Sequence, residues 1–294
     1  MKPTRREMLS GTAAMLAGIT VGRQLAGAVA DLRKAGVKVS MYDASMGYRS
    51  DKKAFARAKE IGLDGVQVNF CLYNRPFDIK LRKPEVQKEI LSEARKHKIA
   101  INSVALGVLN VEPLKSEPRA AVWMVEALEI AKVFGAKNIM PAFFGRGELK
   151  WDNKKDIQRV TDVLKDLAPR AEKAGVIIGL ENTLEAEQNL KIIEEVGSRF
   201  VQSYYDVFNM VGLDEDPIKA IKLLGKKNIC EFHFKEGGHY LGQSGRIPWK
   251  QVAATIKEIG YQGWITLETS NPSRDVIADT KRNVKFVRGL FAGA

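Results

Sequence analysis

The sequence predicts a single closed (β/α)8 barrel, and three observations predict it. From Val37 onward, short β-branched or aromatic runs alternate with charged segments of helical period, the pattern of strands joined by crossover helices in a parallel sheet. Eight such units occupy roughly 260 residues, the usual extent of a closed eight-stranded barrel. The third observation is an absence. Met41-Tyr42-Asp43-Ala44-Ser45-Met46-Gly47 follows the first strand without the G-x-G-x-x-G turn that an open, doubly wound sheet would want.

Taken in order, the first strand is expected at 37–44 and the second at 65–70, around Val66-Gln67-Val68. The charged, helix-period stretch 52–61 joins them. The third strand falls at 100–106 and the fourth at 138–143, after helices at 84–96 and 119–134. Helix 156–173 leads to the fifth strand at 176–182, and helix 188–196 to the sixth at 201–208. The seventh strand, 229–234, follows helix 217–224. Helix 249–259 precedes the eighth at 264–269, and helix 274–290 closes the chain. No Pro/Ser-rich linker interrupts this run, so residues 31–294 read as one domain.

Residues 1–30 are expected to be an export signal rather than part of the fold. Thr4-Arg5-Arg6-Glu7-Met8-Leu9 stands close to the twin-arginine pattern. A weakly apolar stretch, 11–22, and a small-x-small end at Ala28-Val29-Ala30 follow it. Arg23, inside that segment, fits the alternative of an amphipathic N-terminal helix on a cytosolic enzyme. Cleavage after Ala30 removes four basic residues and one acidic one, lowering the formal charge from +12 by three. The expected location is the periplasm, reached by the twin-arginine route with the protein already folded.

Composition bounds the rest. A hydrophobic share of 45% excludes a disordered chain. Two cysteines, Cys71 and Cys230, exclude a disulfide framework and a Cys-rich zinc module; both are expected as buried free thiols. No apolar run reaches the roughly 20 residues of a membrane span, so no stable membrane insertion is expected after signal removal. Basic residues are scattered rather than clustered among aromatics, a poor footprint for nucleic acid. A homo-oligomer is compatible with an exposed barrel of this kind.

Charges break the apolar strand pattern at four successive strand ends: Glu181, Asp206, His233 and Glu268. In a parallel barrel these ends lie on the face where active sites form. If they converge, three carboxylates and one imidazole surround one point. Such carboxylates repel one another unless a cation compensates. Oxygen and imidazole ligands suit a divalent ion such as Mn²⁺, Co²⁺, Zn²⁺ or Mg²⁺. The bland alternative is that a nearby Lys or Arg neutralises each carboxylate.

At these residues the sequence resembles the xylose isomerase-like TIM barrel superfamily, the sugar phosphate isomerases and epimerases. Leu180-Glu181-Asn182, Asp206-Val207-Phe208-Asn209 and His233-Phe234-Lys235-Glu236 resemble its strand-end motifs. The stretch from Leu241 through Gly245, Arg246, Pro248 and Trp249 to Gly263 resembles the segment before its last Glu. The resemblance implies that Glu181 and Glu268 form the acid/base pair on opposite faces of a sugar. Asp206 and His233 would then be ligands that hold the ion, which polarises the substrate oxygens and stabilises an enediolate.

Lys235, Asn209, His239, Asn182 and Arg246 are the candidate substrate-binding residues, with Asn69 and Arg146 at other strand ends as further sugar-binding groups. For His239 the bland alternative is a solvated loop histidine, and His97 reads as a surface residue. Asn209 departs from the His of many epimerases, and Gly242-Gln243-Ser244-Gly245 is one residue longer than the commoner turn. Other readings are a metal-dependent lyase or dehydratase on a keto-sugar or 3-keto-glycoside and a non-catalytic sugar-binding barrel. A DNA-repair endonuclease would need more histidines than the three present.

Overall fold

In the computed structural model, eight parallel strands close into one barrel in sequence order, with the eighth paired back onto the first. The structure describes residues 36–71 and 77–292; the expected signal segment, 1–30, lies outside them. The strands are β1 (Lys38–Tyr42), β2 (Gly65–Asn69), β3 (Ala100–Leu106) and β4 (Asn138–Pro141), then β5 (Ile177–Leu180), β6 (Val201–Asp206), β7 (Ile229–Phe234) and β8 (Trp264–Leu267). Between them run α1 (Lys53–Ile61), α2 (Pro84–His97), α3 (Pro118–Phe134), α4 (Lys154–Ala174) and α5 (Ala186–Val196). A short α6 (Val207–Val211) follows β6, and α7 (Pro217–Leu224), α8 (Trp249–Glu258) and α9 (Val276–Phe291) complete the set.

Local chemistry sets the helix ends. Pro84, Pro118 and Pro217 open α2, α3 and α7, where a missing N–H costs nothing. Asp216 and Asp275 accept backbone N–H groups at the starts of α7 and α9. Helices α1, α3, α4 and α5 stop on Gly62, Gly135, Gly175 and Gly197, each with the positive φ that glycine adopts without strain.

Two observed ends differ from the expected ones for identifiable reasons. The sixth strand stops at Asp206, not at 208, because the Asp206 carboxylate accepts the Asn209 N–H at 2.9 Å and turns the chain into α6. The fourth ends as a continuous strand at Pro141, whose missing N–H interrupts the ladder, and the pairing resumes only as a single bridge between Ala142 and Glu181. Cys71 and Cys230 form no disulfide, as expected, although Cys230 is only half-buried.

Strand alternation divides the packing. Outward residues such as Val39, Val66, Ile178, Phe232 and Leu267 join Phe55, Leu128, Leu164, Ile221 and Val252 of the helices in the main core. Each such side chain contributes about 1.5–3 kcal/mol when fully buried. A smaller apolar cluster of Tyr42, Ala105, Met140, Ala142 and Tyr204 is separate from it, with Ala44 and Phe144 against it. No helix among the described residues is long and apolar enough to cross a membrane.

Candidate active site

The four charged strand ends converge. One ligand atom from each of Glu181, Asp206, His233 and Glu268 lies within 4.8 Å of all the others. Register explains this: Asp206 pairs with His233 across β6 and β7, and His233 pairs with Thr266, two residues before Glu268, across β7 and β8. Glu181 follows β5 and bridges Ala142. Glu181, Asp206 and His233 are buried, whereas the Glu268 side chain is 26% exposed and faces the opening.

His233 Nδ1 points at the carboxylates, 2.8 Å from Glu181 Oε1, 3.7 Å from Glu268 Oε2 and 3.9 Å from Asp206 Oδ2. Lys235, on the same face of the chain, places its ammonium 2.7 Å from Glu268 Oε2 and 3.0 Å from Asp206 Oδ2. The bland alternative is therefore realised in part: one lysine and one imidazole face three carboxylates. Asp206 Oδ2 has this ionic neighbour but accepts no directed hydrogen bond.

These contacts set the ionisation. Burial pulls the His233 imidazole down, but Glu181, Glu268 and Asp206 outweigh it and raise its pKa to about 9. Lys235 is likewise pulled down by burial and raised overall by Asp206, Glu268 and Glu181. Burial raises the Glu181 carboxyl above its ordinary value against the pull of His233. At Glu268 burial pushes upward too, yet Lys235 and His233 win and hold it below the ordinary carboxylate range. Two facing carboxylates with opposite shifts are the arrangement from which an acid and a base are drawn.

The donor set fits a divalent ion: three carboxylates, one imidazole, and a buried oxygen short of a directed bond. Such an ion would make Lys235 unnecessary as the neutralising cation.

The remaining candidates divide. Asn209 is half-buried; its backbone N–H donates to the capping Asp206 carboxylate, and its side-chain Nδ2 has no hydrogen-bond partner, so it stands as a spare donor beside a cluster residue. Asn69 offers a spare acceptor in the same way: Nδ2 donates to the Tyr42 hydroxyl, while the buried Oδ1 is unpartnered. Asn182 is engaged within the chain. Its amide donates to Asn189 Oδ1 at 2.8 Å and accepts from Leu184 N at 2.9 Å and from Asn189 Nδ2 at 3.1 Å, so it anchors the β5–α5 loop.

His239 is exposed and uses its backbone N–H on Glu236 O. Arg246 is exposed too, its guanidinium 5.8 Å from the centre of the Phe208 ring. Arg146 is exposed on the 3-10 turn after β4, and His97 sits at the end of α2, 3.1 Å from Glu93.

Three buried carboxylate or amide groups escaped the sequence reading. Glu236 accepts from Gly242 N, from Ser244 N at 2.8 Å, from the Ser244 hydroxyl and from Trp249 Nε1 at 2.9 Å, fixing the β7–α8 loop. Glu231 lies inside the barrel two residues before His233. It accepts from Asn138 Nδ2 at 2.7 Å, Tyr204 OH at 2.5 Å, and the Asn102 amide and Thr266 hydroxyl. Gln67 accepts at Oε1 from His233 Nε2, 3.0 Å away. The signal for Glu231 was alternation itself, which puts Glu231, His233 and Lys235 on one face.

The family described as Xylose isomerase-like TIM barrel matches residues 55–290. A D-psicose 3-epimerase of Enterocloster bolteae is 24% identical over 260 residues, covering 80% of this chain and 82% of its own length. A 2-epi-5-epi-valiolone 7-phosphate 2-epimerase of Actinoplanes sp. is 24% identical over 196 residues, 66% of this chain and 71% of its own. The crystal structure of a D-psicose 3-epimerase from Clostridium cellulolyticum H10 with D-tagatose shares the fold at a TM-score of 0.72 and 19% identity, covering 87% of this chain and 99% of that one.

Proposed function

Because the chain belongs to the xylose isomerase-like TIM barrel family, we propose that it is a metal-dependent sugar epimerase moving a proton on a carbon beside a carbonyl. Relatives named as epimerases support the enzyme class and a carbohydrate substrate. The observation that carries the chemistry is the pairing of Glu181 with Glu268, two carboxylates that follow β5 and β8 and converge on one point with Asp206 and His233.

In this reading Glu181, Asp206, His233 and Glu268 would hold a divalent ion, whose charge would supply polarisation of the sugar's carbonyl and hydroxyl oxygens. Glu268, ionised and nearest the opening, takes the proton from the carbon. Glu181, across the cluster from it, would return a proton to the opposite face. Lys235, which pairs with Asp206 and Glu268 at the rim of the cluster, would be free to hydrogen-bond a substrate oxygen once those carboxylates had another counter-charge. Asn69 Oδ1 and Asn209 Nδ2 supply one acceptor and one donor for further hydroxyls. The export signal read at 1–30 fits a non-phosphorylated substrate in the periplasm.

The test is solvent hydrogen exchange: the protein is loaded with Mn²⁺ or Mg²⁺ in D₂O and given free ketoses and 3-keto-glycosides. NMR then reads C–H to C–D replacement. Exchange that needs both the metal and Glu268 supports the proposal, and the product tells epimer from isomer or eliminated alkene. Tight metal binding without exchange would call for other sugars; neither binding nor exchange leaves a sugar-binding barrel.

A further inference from the structure

A chain of buried hydrogen bonds has only one consistent direction, and that direction ends at the imidazole of the site. Glu231 Oε1 receives the Tyr204 hydroxyl at 2.5 Å, so the single hydroxyl hydrogen of Tyr204 is committed there. Tyr204 can then only accept from Gln67, 2.9 Å away, which requires the NH₂ end of the Gln67 amide to face it. Ser103 agrees: its hydroxyl donates toward Glu231 at 3.3 Å and accepts from the same Gln67 NH₂ at 3.0 Å. The other end of Gln67, its carbonyl oxygen, must therefore face His233 Nε2, and it does so at 3.0 Å. A carbonyl oxygen accepts only, so Nε2 carries a hydrogen and Nδ1 is turned to the carboxylates.

We propose that Glu231, Tyr204 and Gln67 form a positioning relay that fixes Nδ1 of His233 as the metal-binding nitrogen. The reverse orientation of the Gln67 amide would aim NH₂ at Nε2 and favour the tautomer with the hydrogen on Nδ1, which cannot ligate an ion. Tyr204 also holds the ring plane: its own ring lies edge-on to His233 with centroids 4.6 Å apart. Gln67, Tyr204, Glu231 and His233 are all 1% exposed or less, so water offers no competing partner. The relay rests on the metal-site reading above and extends it from the ligands to the groups that orient them.

The experiment compares the parent chain with Gln67→Leu and Gln67→Glu, using Zn²⁺ alone as the probe. Calorimetry reads Zn²⁺ affinity, and ¹⁵N-histidine NMR reads which nitrogen of His233 bears the hydrogen; with three histidines in the chain, assignment is direct. Gln67→Leu is expected to lose about ten- to hundred-fold in Zn²⁺ affinity, whereas Gln67→Glu, which still accepts from Nε2 but no longer donates to Tyr204 and Ser103, is expected to lose less. The zinc-loaded parent is expected to show a slowly exchanging Nε2–H and a zinc-shifted Nδ1. Zinc on Nε2, or Gln67→Leu binding as tightly as the parent, would overturn the relay. Should Gln67→Leu not fold, the parent spectrum alone decides. A parent that takes up no Zn²⁺ yet shows the Nε2–H bonded to Gln67 removes the metal reading and leaves the hydrogen-bond direction standing.

Discussion

Lys235→Met is expected to harm the metal-free protein and help it bind metal. The ammonium lies 2.7 Å from Glu268 Oε2 and 3.0 Å from Asp206 Oδ2. At an effective dielectric constant near 20, each pair attracts by about 5–6 kcal/mol before the cost of desolvating the ammonium. Desolvation returns much of that. Removing one partner of such an arrangement strands the carboxylates and costs about 3–5 kcal/mol; with Lys235 20% exposed, the lower end applies. For a chain of this size that is a fall in melting temperature of about 10 °C. A bound dication replaces the lost charge, so Mn²⁺ is expected to recover most of the loss. Affinity for Mn²⁺ should rise about tenfold or more, since no ammonium then competes for Asp206 and Glu268. Calorimetric melting of chelator-treated and Mn²⁺-loaded protein, with a Mn²⁺ titration, reads both effects. A metal-free variant that melts with the parent, or one that binds Mn²⁺ more weakly, would refute the reasoning.

The other expectations use the same geometry. Glu268→Gln and Glu181→Gln should each lower solvent exchange into the sugar by about 10²–10⁴-fold while the fold, followed by circular dichroism, is kept. The pH dependence has a definite sign. His233 titrates near pH 9 in the folded, metal-free protein against 6.5 as a free side chain, so its stabilising contribution is complete below about pH 6.5 and disappears as pH rises through about 9. Metal binding must expel the Nδ1 proton, so apparent Zn²⁺ affinity should climb about tenfold per pH unit up to the same value, as a pH series of titrations would read. Glu236→Ala removes the acceptor of four donors. It should cost about 3 kcal/mol and speed amide exchange selectively in residues 237–247.

The barrel and the four cluster residues were legible because a parallel strand is buried on both sides. Against Val, Ile and Phe, a charge at the end of a strand is conspicuous, and four on successive strands must meet once the sheet closes. Lys235 was legible as an inward residue by alternation, though not as a counter-ion, because its reach across to β6 and β8 depends on register. Gln67 and Glu231 were not found, since inside a run such as Val66-Gln67-Val68 a polar residue says nothing about which strand supplies its partner. What the sequence did not show for Asn182 is its partner: the amide beside Glu181 turns toward Asn189, seven residues along. Helix α6 was hidden because Val207 and Phe208 favour extended structure, and only the Asp206 cap reveals the turn.

The acceptor contacts of Glu231 have a bearing on how the molecule is put together. Asn102, Ser103 and Asn138 come from β3 and β4, while Tyr204 and Thr266 come from β6 and β8. The whole cluster belongs to the later half of the chain, yet the carboxylate beneath it is satisfied mainly by the earlier half. A later half standing alone would bury Glu231 without three of its donors, at about 1.5–3 kcal/mol apiece. Half-barrels of this sequence are thus not independent modules to be swapped or duplicated. If the four strand-end residues bind a metal as proposed, its uptake would report that both halves have docked.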